Sequence, residues 1–276
     1  MHPVFSIIIP CYNQGHYLKD VLSSIAECDA GLYEILIVND GSTSSETLEV
    51  LGGLEKEGYN VIHQENKGLT GARNTGIEHA RGAYLVMLDA DNKIVGDYLA
   101  HAKEIFETRP NVGVIYSDAY YFGSKSGVWE VGEFNLQRLM HGNYIDAMAI
   151  VRRTVVEKYG NYDMNLVIGL EDWELWLRYA FAGVEFYYLK KPMFYYRIVQ
   201  NSVSKTFLRN YASRNKAEIY IETKFSKFMG RDWTTKYYTK RFKASPLRFI
   251  LKIFLAAYFP STYNRLISEN KMIRGL

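Results

Sequence analysis

The chain has 276 residues, of which 48% are hydrophobic and 23% charged, the composition of an ordinary globular protein with room for one large domain and an appendage. Its net charge of +3 conceals a gradient. Residues 1–204 carry 17 Lys or Arg and 26 Asp or Glu, whereas residues 205–276 carry 16 and 4. This distribution argues against a nucleic-acid-binding core and predicts an anionic surface as the partner of the basic end.

Cysteine usage and hydropathy bear on the cellular compartment. The two cysteines, Cys11 and Cys28, fall in segments that read as buried or helical, which favours a reducing compartment over a disulfide framework. Met1 leads almost directly into strand-like sequence without a leader pattern, and no apolar run has membrane-spanning length. We therefore expect a cytoplasmic protein.

Strand-like and helix-like segments alternate through the first 116 residues. Short apolar runs predict strands at residues 5–9, 33–39, 60–63, 84–89 and 113–116. Helical spacing of apolar residues predicts helices at residues 17–28, 44–57, 72–80 and 97–108. Pro10 is expected to end the first strand, because proline cannot donate to a central ladder. The alternation predicts a mostly parallel, twisted, Rossmann-like α/β sheet flanked by helices.

Carboxylates follow two of the predicted strands. Asp89 and Asp91 would lie on one side of an extended backbone, with Ala90 turned away, and Asp40 follows the strand at 33–39. Ligands of open parallel sheets bind beyond the carboxyl ends of the strands, so these side chains would converge with residues 10–13. Two oxygen donors on one side suit a divalent cation that holds a diphosphate. Each aspartate taken alone is also compatible with a simple turn.

A glycine-rich, basic loop at residues 66–76 is a second candidate element. Its glycines allow close backbone approach at a helix amino terminus, a ready anion site, and Lys67 and Arg73 add positive charge. The spacing matches neither a Walker A motif nor a Rossmann glycine fingerprint. Arg73 is equally suited to pairing with a nearby carboxylate.

Beyond Asp118 the regular alternation fails. We predict an irregular hairpin at 120–133, a strand at 146–151, a short helix at 154–159, a largely buried helix at 173–182 and two short extended segments within 185–196. Glu171 and Asp172 lie at the start of the predicted helix at 173–182. A carboxylate at a helix amino terminus is stabilised as the anion and also suits a capping role. An ionised Asp172 could deprotonate an incoming hydroxyl. Trp173 and Trp176 would form a sugar-facing wall beside it.

Five stretches together resemble the inverting glycosyltransferases of family 2, of bacterial type, which have the GT-A fold. They are residues 7–13, 34–42, 66–76, 88–91 and 171–173, in the order that the family shows them. The resemblance covers roughly residues 4–204 and implies a catalytic domain at 1–204. Its nucleotide-binding half would be residues 1–116 and its acceptor-side half residues 117–204, followed by a helical basic extension at 205–276.

The resemblance implies a nucleotide-diphosphate sugar donor, UDP-hexose or UDP-N-acetylhexosamine, and the cofactor Mg²⁺ or Mn²⁺. Asp89-Ala90-Asp91 matches the DxD motif of the family, with Asp89 at the ribose, Ala90 beside the nucleotide and Asp91 on the metal. Asp172 matches the general base. The other nucleotide-site residues would be Pro10, Tyr12, Asn13, Asp40, Lys67 and Arg73. The acceptor of such relatives is a glycan or a lipid-linked molecule of cell-surface polysaccharide synthesis.

The chain departs from the family at one position. Many relatives carry a metal-reaching His shortly after a Tyr-Arg pair, whereas here Val199 stands near that place, after Tyr196 and Arg197. The metal would then be held by Asp91, the diphosphate and water, or with help from Gln200 or Asn201.

Two other functions stay open at this point. A catalytically inactive nucleotide-sugar-binding subunit of a glycan assembly complex would share the fold, although the presence of both Asp91 and Asp172 argues against it. A nucleotidyltransferase would carry a glycine-rich basic signature near its first strand, which residues 10–13 do not resemble. The apolar residues 247–259 suit attachment to the anionic inner face of the cytoplasmic membrane, or packing on the domain or on a second copy in a homo-oligomer.

Overall fold

The structure, a computed structural model, describes residues 2–166, 169–199, 211–229, 239, 242–243, 245–259 and 261–262. The chain divides into two compact units, Met1–Val199 and Gln200–Leu276. The first unit contains the sheet and the candidate site. In the second unit the described helices include Tyr211–Lys224 and Pro246–Tyr258, labelled α8 and α9 below.

A nine-stranded sheet forms the centre of the first unit. Its strands are β1 Phe5–Cys11, β2 Tyr33–Asp40, β3 Asn60–Gln64, β4 Tyr84–Met87, β5 Lys93–Ile94, β6 Val112–Gly123, β7 Gly127–Trp129, β8 Ile150–Arg152 and β9 Glu185–Ile198. They lie in the order β3-β2-β1-β4-β8-β6-β9-β5, with β7 beside β6. Six of them, β1 to β4, β6 and β9, run in one direction, and β5, β7 and β8 run in the other. The expectation of a mostly parallel α/β sheet is therefore confirmed.

Helices cover both faces of this sheet. They are α1 Gly15–Ile25, α2 Ser45–Lys56, α3 Gly68–His79, α4 Tyr98–Thr108, α5 Leu136–His141, α6 Arg153–Tyr159 and α7 Glu171–Phe181. Side chains of α1, α2 and α4 form one apolar core with Ile7 and Ile9 of β1. Ile8 points to the other face, where α3 passes so closely that a Cβ at Gly76 would lie 2.2 Å from the Ile8 side chain. Glycine at this position thus sets the height of α3 above the sheet.

The first strand continues through Pro10, contrary to expectation. Pro10 pairs in register with Val38, and β1 ends only at Cys11. On the side of β4, the carbonyl oxygen of Ile8 accepts a hydrogen bond from Leu88 N. Pro10 lies two residues further along the strand, so its backbone nitrogen also faces the side of β4. Because β4 has already ended there, the missing N–H of Pro10 removes no ladder bond.

Two segments of the second half also differ from expectation. The predicted strand at 146–151 is reduced to Ile150–Arg152, inserted antiparallel between β4 and β6. The two short extended segments predicted within 185–196 are one 14-residue strand, β9, which pairs with β6 through several register shifts. Register shifts of this kind are typical of β-bulges, which bend a strand and increase its local twist. The predicted hairpin is present as β6 and β7.

Candidate active site at the carboxyl edge of the sheet

Asp89 and Asp91 lie where β4 ends, at the edge of the sheet predicted for ligand binding. A tight turn follows the strand, in which Asn92 N donates to the carbonyl oxygen of Asp89 at 3.0 Å. Burial and, as the second cause, the negative charge of Asp89 raise the pKa of Asp91 to about 6. The two carboxylates therefore repel each other, and a cation bound at Asp91 would relieve that repulsion.

Arg73 connects this pair to the beginning of α7. It projects from α3 and is only 2% exposed. Its two terminal nitrogens donate to Asp89 Oδ1 and to Glu171 Oε1, each at 2.7 Å, and its guanidinium lies 5.3 Å from the ring centre of Tyr162. Of the two roles open to Arg73 from sequence, the structure shows the pairing with carboxylates. The glycine-rich loop is thus linked through this side chain to Asp89 of the acidic pair.

Asp172 lies in the first turn of α7, as expected. Trp173 N donates to its Oδ1 at 2.8 Å, and Asn143 Nδ2 donates to its Oδ2 at 2.7 Å. Burial raises the pKa of Asp172 well above its ordinary value, with Glu171 adding to the rise and Arg73 opposing it. A carboxylate with a raised pKa at the edge of a ligand site is suited to accept a proton.

The expectation that Trp173 and Trp176 form a sugar-facing wall is wrong. Trp173 is buried and its Nε1 donates to the carbonyl oxygen of Leu139, whereas Trp176 has 0% exposure and donates to that of Ile145. Both indoles therefore fasten the segment before β8 to α7. Aromatic residues at helical spacing turn inward when the facing segment offers carbonyl groups that the indole N–H can reach.

Asp146 was missed by the sequence reading, which placed it inside a strand. Its Oδ1 accepts from Met148 N at 2.9 Å. Burial raises its pKa to about 7, the charges of Asp89 and Asp91 contribute to the rise, and Arg73 opposes it. Because β8 is antiparallel to β4, the residues preceding β8 lie at the carboxyl edge of the parallel strands. The direction of β8 is what brings Asp146 to the site.

Asp40 organises the floor of the predicted nucleotide pocket. Gln64 Nε2 at 2.6 Å and Lys67 N at 2.8 Å both donate to its Oδ1. Gly41, with φ of +68°, lets the chain turn against Asn66, whose backbone nitrogen would lie 2.8 Å from a Cβ there. Lys67 therefore contributes a backbone N–H to this floor, and its side chain is exposed.

Asn13 ties the two loops that border this pocket. It has φ of +55°, and its Oδ1 accepts from the backbone nitrogens of Thr43 and Ser44 at 2.8 and 2.9 Å. Its Nδ2 donates to Thr43 Oγ1, and its own N–H donates to Ser42 Oγ. Asn13 is thus a structural link between the β1–α1 and β2–α2 loops. Tyr12, next to it, is 45% exposed and free to stack on a planar ligand.

Arg197 anchors the turn that carries Asp91, a role that the sequence reading did not assign. Its Nε donates to the carbonyl oxygen of Asp91 at 2.8 Å, and its backbone N–H donates to Asn92 Oδ1 at 2.9 Å. The guanidinium lies 4.5 Å from the ring centre of Tyr17 and 4.3 Å from that of Phe122. The sequence signal for this role was the pair Tyr196 and Arg197 near the end of β9. In the sequence this pair served only to locate the position where relatives carry a His.

The described residues fit a divalent cation bound by few protein ligands. They contain no group of three or more His, Cys, Asp or Glu side chains suited to hold a metal. Asp91 nevertheless offers a carboxylate that is partly buried and repelled by Asp89. A cation with a diphosphate as its other ligand matches this site. Val199 belongs to the described residues, whereas Gln200 and Asn201 lie outside them.

A curled, mostly parallel sheet with an acidic pair at its carboxyl edge and a third carboxylate facing it defines a GT-A glycosyltransferase. Residues 6–160 match the model of Glycosyl transferase family 2, which is more than half of the chain. The chain belongs to this family.

Two known proteins illustrate the similarity. TuaG of Bacillus subtilis (strain 168), a glycosyltransferase named for teichuronic acid biosynthesis, is 28% identical over 254 residues, or 86% of this chain and 95% of that one. The crystal structure of S. aureus TarS 1–349 in complex with UDP-GlcNAc superposes with a TM-score of 0.60 at 16% identity, over 98% of this chain and 93% of that one. The similarity to TarS shows that the two chains share a fold.

Proposed function

We propose that this glycosyltransferase moves a sugar from a UDP-hexose or UDP-N-acetylhexosamine to a hydroxyl of a glycan or lipid-linked acceptor, with inversion, in cell-surface polysaccharide biosynthesis. The name of TuaG supports a role in polysaccharide biosynthesis. The UDP-GlcNAc in the TarS crystal structure supports a UDP-sugar as the donor. The observation that carries the proposal is the chain of ion pairs from Asp89 through Arg73 to Glu171, which joins the DxD pair to the residue beside Asp172.

The residues at this edge divide the work of a single in-line displacement. Asp40, Asn13, Tyr12 and the backbone around Pro10 would receive the nucleotide, and Asp89 and Asp91 would lie at the ribose and diphosphate. A bound Mg²⁺ or Mn²⁺, held by Asp91, would neutralise the charge that develops on the departing diphosphate.

Asp172 supplies the base for the acceptor. As the acceptor oxygen bonds to the anomeric carbon, its proton passes to the Asp172 carboxylate. The bond from that carbon to the diphosphate oxygen breaks, and the nucleoside diphosphate leaves with the electron pair. One base and one displacement give inversion at the anomeric carbon, and no second carboxylate is needed as a nucleophile.

The test is a screen of UDP-sugars for hydrolysis or transfer with Mn²⁺ or Mg²⁺, followed by two substitutions. Asp172→Asn should retain UDP binding and lose turnover by roughly 100-fold or more. Asp91→Asn should weaken UDP binding when metal is present. Asp29→Asn, which changes an exposed aspartate in the α1–β2 connection, is the matched control.

Two results would contradict the proposal. Full activity of Asp172→Asn would show that Asp172 is not the base. Tight binding of UDP-sugars by the wild-type protein without any turnover, across donors and acceptors, would indicate the inactive binding subunit instead.

We also propose that α9 attaches the enzyme to the anionic face of the cytoplasmic membrane. Leu247, Ile250, Leu251, Phe254 and Tyr258 recur at helical spacing on one stripe, and all are exposed, Leu247 by 84%. The helix sequence has no acidic residue, and residues 205–276 carry 16 basic and 4 acidic side chains. No helix among the described residues is long and apolar enough to cross a membrane. An apolar stripe in a basic segment suits interfacial attachment to anionic lipid.

Vesicle sedimentation tests this attachment. Wild-type protein should sediment with vesicles that contain phosphatidylglycerol and stay in solution with pure phosphatidylcholine. Leu247→Glu combined with Phe254→Glu should abolish sedimentation, whereas Leu48→Glu, at an exposed leucine of α2, should not. Unchanged sedimentation of the α9 variant, or a dimer held together by α9 in the absence of lipid, would overturn the proposal.

A further inference from the structure

The segment before β8 is held rigidly against the first turns of α7. It comprises α5 and residues 142–149, and the indole nitrogens of Trp173 and Trp176 donate to two of its carbonyl oxygens at 2.6 and 3.0 Å. Arg138 adds a contact within the segment, 3.9 Å above the ring centre of Tyr144. These contacts hold the backbone of the segment in place against the first turns of α7.

Asn143 is the side chain that points there, and both ends of its amide are engaged. Its Oδ1 accepts from Ile145 N at 3.2 Å, so its Nδ2 must be the end that faces Asp172, where it donates to Oδ2 at 2.7 Å. Trp173 N donates to the other carboxylate oxygen. Each oxygen of Asp172 thus receives one described donor, and together the two donors set the plane of the carboxylate.

Asn143 and the backbone N–H of Trp173 are uncharged donors to Asp172, and the other groups around it act by charge. Glu171 on the same helix and Asp146 beside Asn143 disfavour the ionised carboxylate, Arg73 of α3 favours it, and Tyr162 lies within the electrostatic reach of the same group. A hydrogen bond donated to a carboxylate stabilises its ionised form, in which it can act as a base.

We propose that Asn143 is a positioning residue that holds the Asp172 carboxylate ionised and in a fixed orientation for deprotonation of the acceptor. The inference rests on the proposed role of Asp172. Among the described residues, Asn143 forms no hydrogen bond with Asp89, Asp91 or Asp40, so it should affect the base and leave nucleotide binding unchanged.

Two substitutions separate this role from a structural one. Asn143→Ala removes both hydrogen bonds, whereas Asn143→Asp keeps an acceptor for Ile145 N and places a second carboxylate against Asp172. If Asn143 positions the base, Asn143→Asp should be the less active of the two, and Asn143→Ala should lose roughly 10-fold to 100-fold in turnover. If Asn143 only shapes the turn, Asn143→Asp should be the more active.

Turnover is measured as UDP release from UDP-N-acetylglucosamine with Mn²⁺, across a pH series. The rising limb of the profile should move to higher pH in Asn143→Ala and further in Asn143→Asp. The affinity for UDP with Mn²⁺ should not change. Asn165→Ala, which removes an exposed hydrogen bond to Asp163 of similar length, 2.8 Å, is the matched control and should leave the profile in place.

A readout without substrate separates failure of this inference from failure of the proposed function. In protein labelled with ¹³C at aspartate carboxyl groups, the Asp172 resonance is assigned by its loss in Asp172→Asn. Its titration midpoint should rise in both Asn143 variants, and an unchanged midpoint overturns the inference. If Asp172→Asn loses activity and Asn143→Ala keeps it, the role of Asn143 is rejected and the role of Asp172 stands. If Asp172→Asn is fully active, the roles of both residues are rejected.

Discussion

Arg73 and Asp89, sixteen residues apart, form an ion pair of 2.7 Å in which the arginine is almost completely buried. A second carboxylate, Glu171, receives the other terminal nitrogen, and its Oε2 is buried without a hydrogen bond in the described chain. Arg73→Ala would leave two carboxylates without their cation.

We therefore expect Arg73→Ala to lower the free energy of unfolding by about 3–5 kcal/mol, measured by urea denaturation at neutral pH. Lys103→Ala is the matched control, because Lys103 forms a pair with Glu107 that is exposed on both sides and should cost about 0–1 kcal/mol. Equal losses in the two variants would show that the buried pair contributes no more than a surface pair.

Arg197 is expected to act on donor binding through the turn that carries Asp91. Arg197→Lys keeps the charge but loses the planar group that lies between two rings and donates to the Asp91 carbonyl oxygen. The affinity for UDP with Mn²⁺ should fall about tenfold, the equivalent of one hydrogen bond, as measured by calorimetry.

Lys191→Ala provides the comparison for Arg197, since Lys191 lies on the same strand and pairs with Asp97 at the surface. Its affinity for UDP should equal that of the wild type. An unchanged affinity in Arg197→Lys would show that the turn holds its shape without the clamp.

Stability should depend on pH through Asp146. Its pKa of about 7 in the folded chain exceeds the ordinary aspartate value, so the folded state retains a proton that the unfolded state has lost above about pH 4. Because the native state binds more protons in this window, the free energy of unfolding falls as the pH rises from about 4 to 7.

Asp146→Asn removes this titration and keeps an acceptor for Met148 N. In the presence of EDTA it should raise Tm by several degrees at about pH 8 and leave Tm nearly unchanged at about pH 4. Asp29→Asn should shift Tm equally at both values. A Tm difference for Asp146→Asn that does not vary with pH would contradict the raised pKa.

Metal and nucleotide should bind together. With Asp91 the expected protein ligand and no three-residue cluster in the described chain, Mn²⁺ alone should bind weakly, whereas Mn²⁺ with UDP should bind far more tightly. Paramagnetic relaxation of water by Mn²⁺ reports both affinities. Tight binding of Mn²⁺ in the absence of UDP would reveal ligands beyond Asp91.

The first half of the fold could be predicted because local signals and the topology agree there. Apolar runs that alternate with helical periods admit a parallel sheet, and they place Asp40 and Asp89 at one edge without further information. The prediction that Pro10 ends the first strand was wrong because the rule for proline concerns a strand that is paired on both sides. β4 is shorter than β1, so β1 is paired with it only as far as Ile8.

The second half depends on contacts that no local pattern encodes. The position of β8 between β4 and β6 is a tertiary choice, and only its reversed direction brings Asn143 and Asp146 to the site. The two tryptophans of α7 were correctly assigned to a buried helix, yet which partner their indole nitrogens meet depends on that same choice.

The link made by Asn13 has a thermodynamic consequence. Its side-chain oxygen and nitrogen are both hydrogen-bonded to the β2–α2 loop, so the wall of the proposed nucleotide pocket is already ordered when a ligand arrives. Ordering of a loop upon binding would appear as unfavourable entropy. In calorimetry, Asn13→Ala should therefore weaken UDP binding mainly through a less favourable entropy, even though this side chain need not touch the ligand.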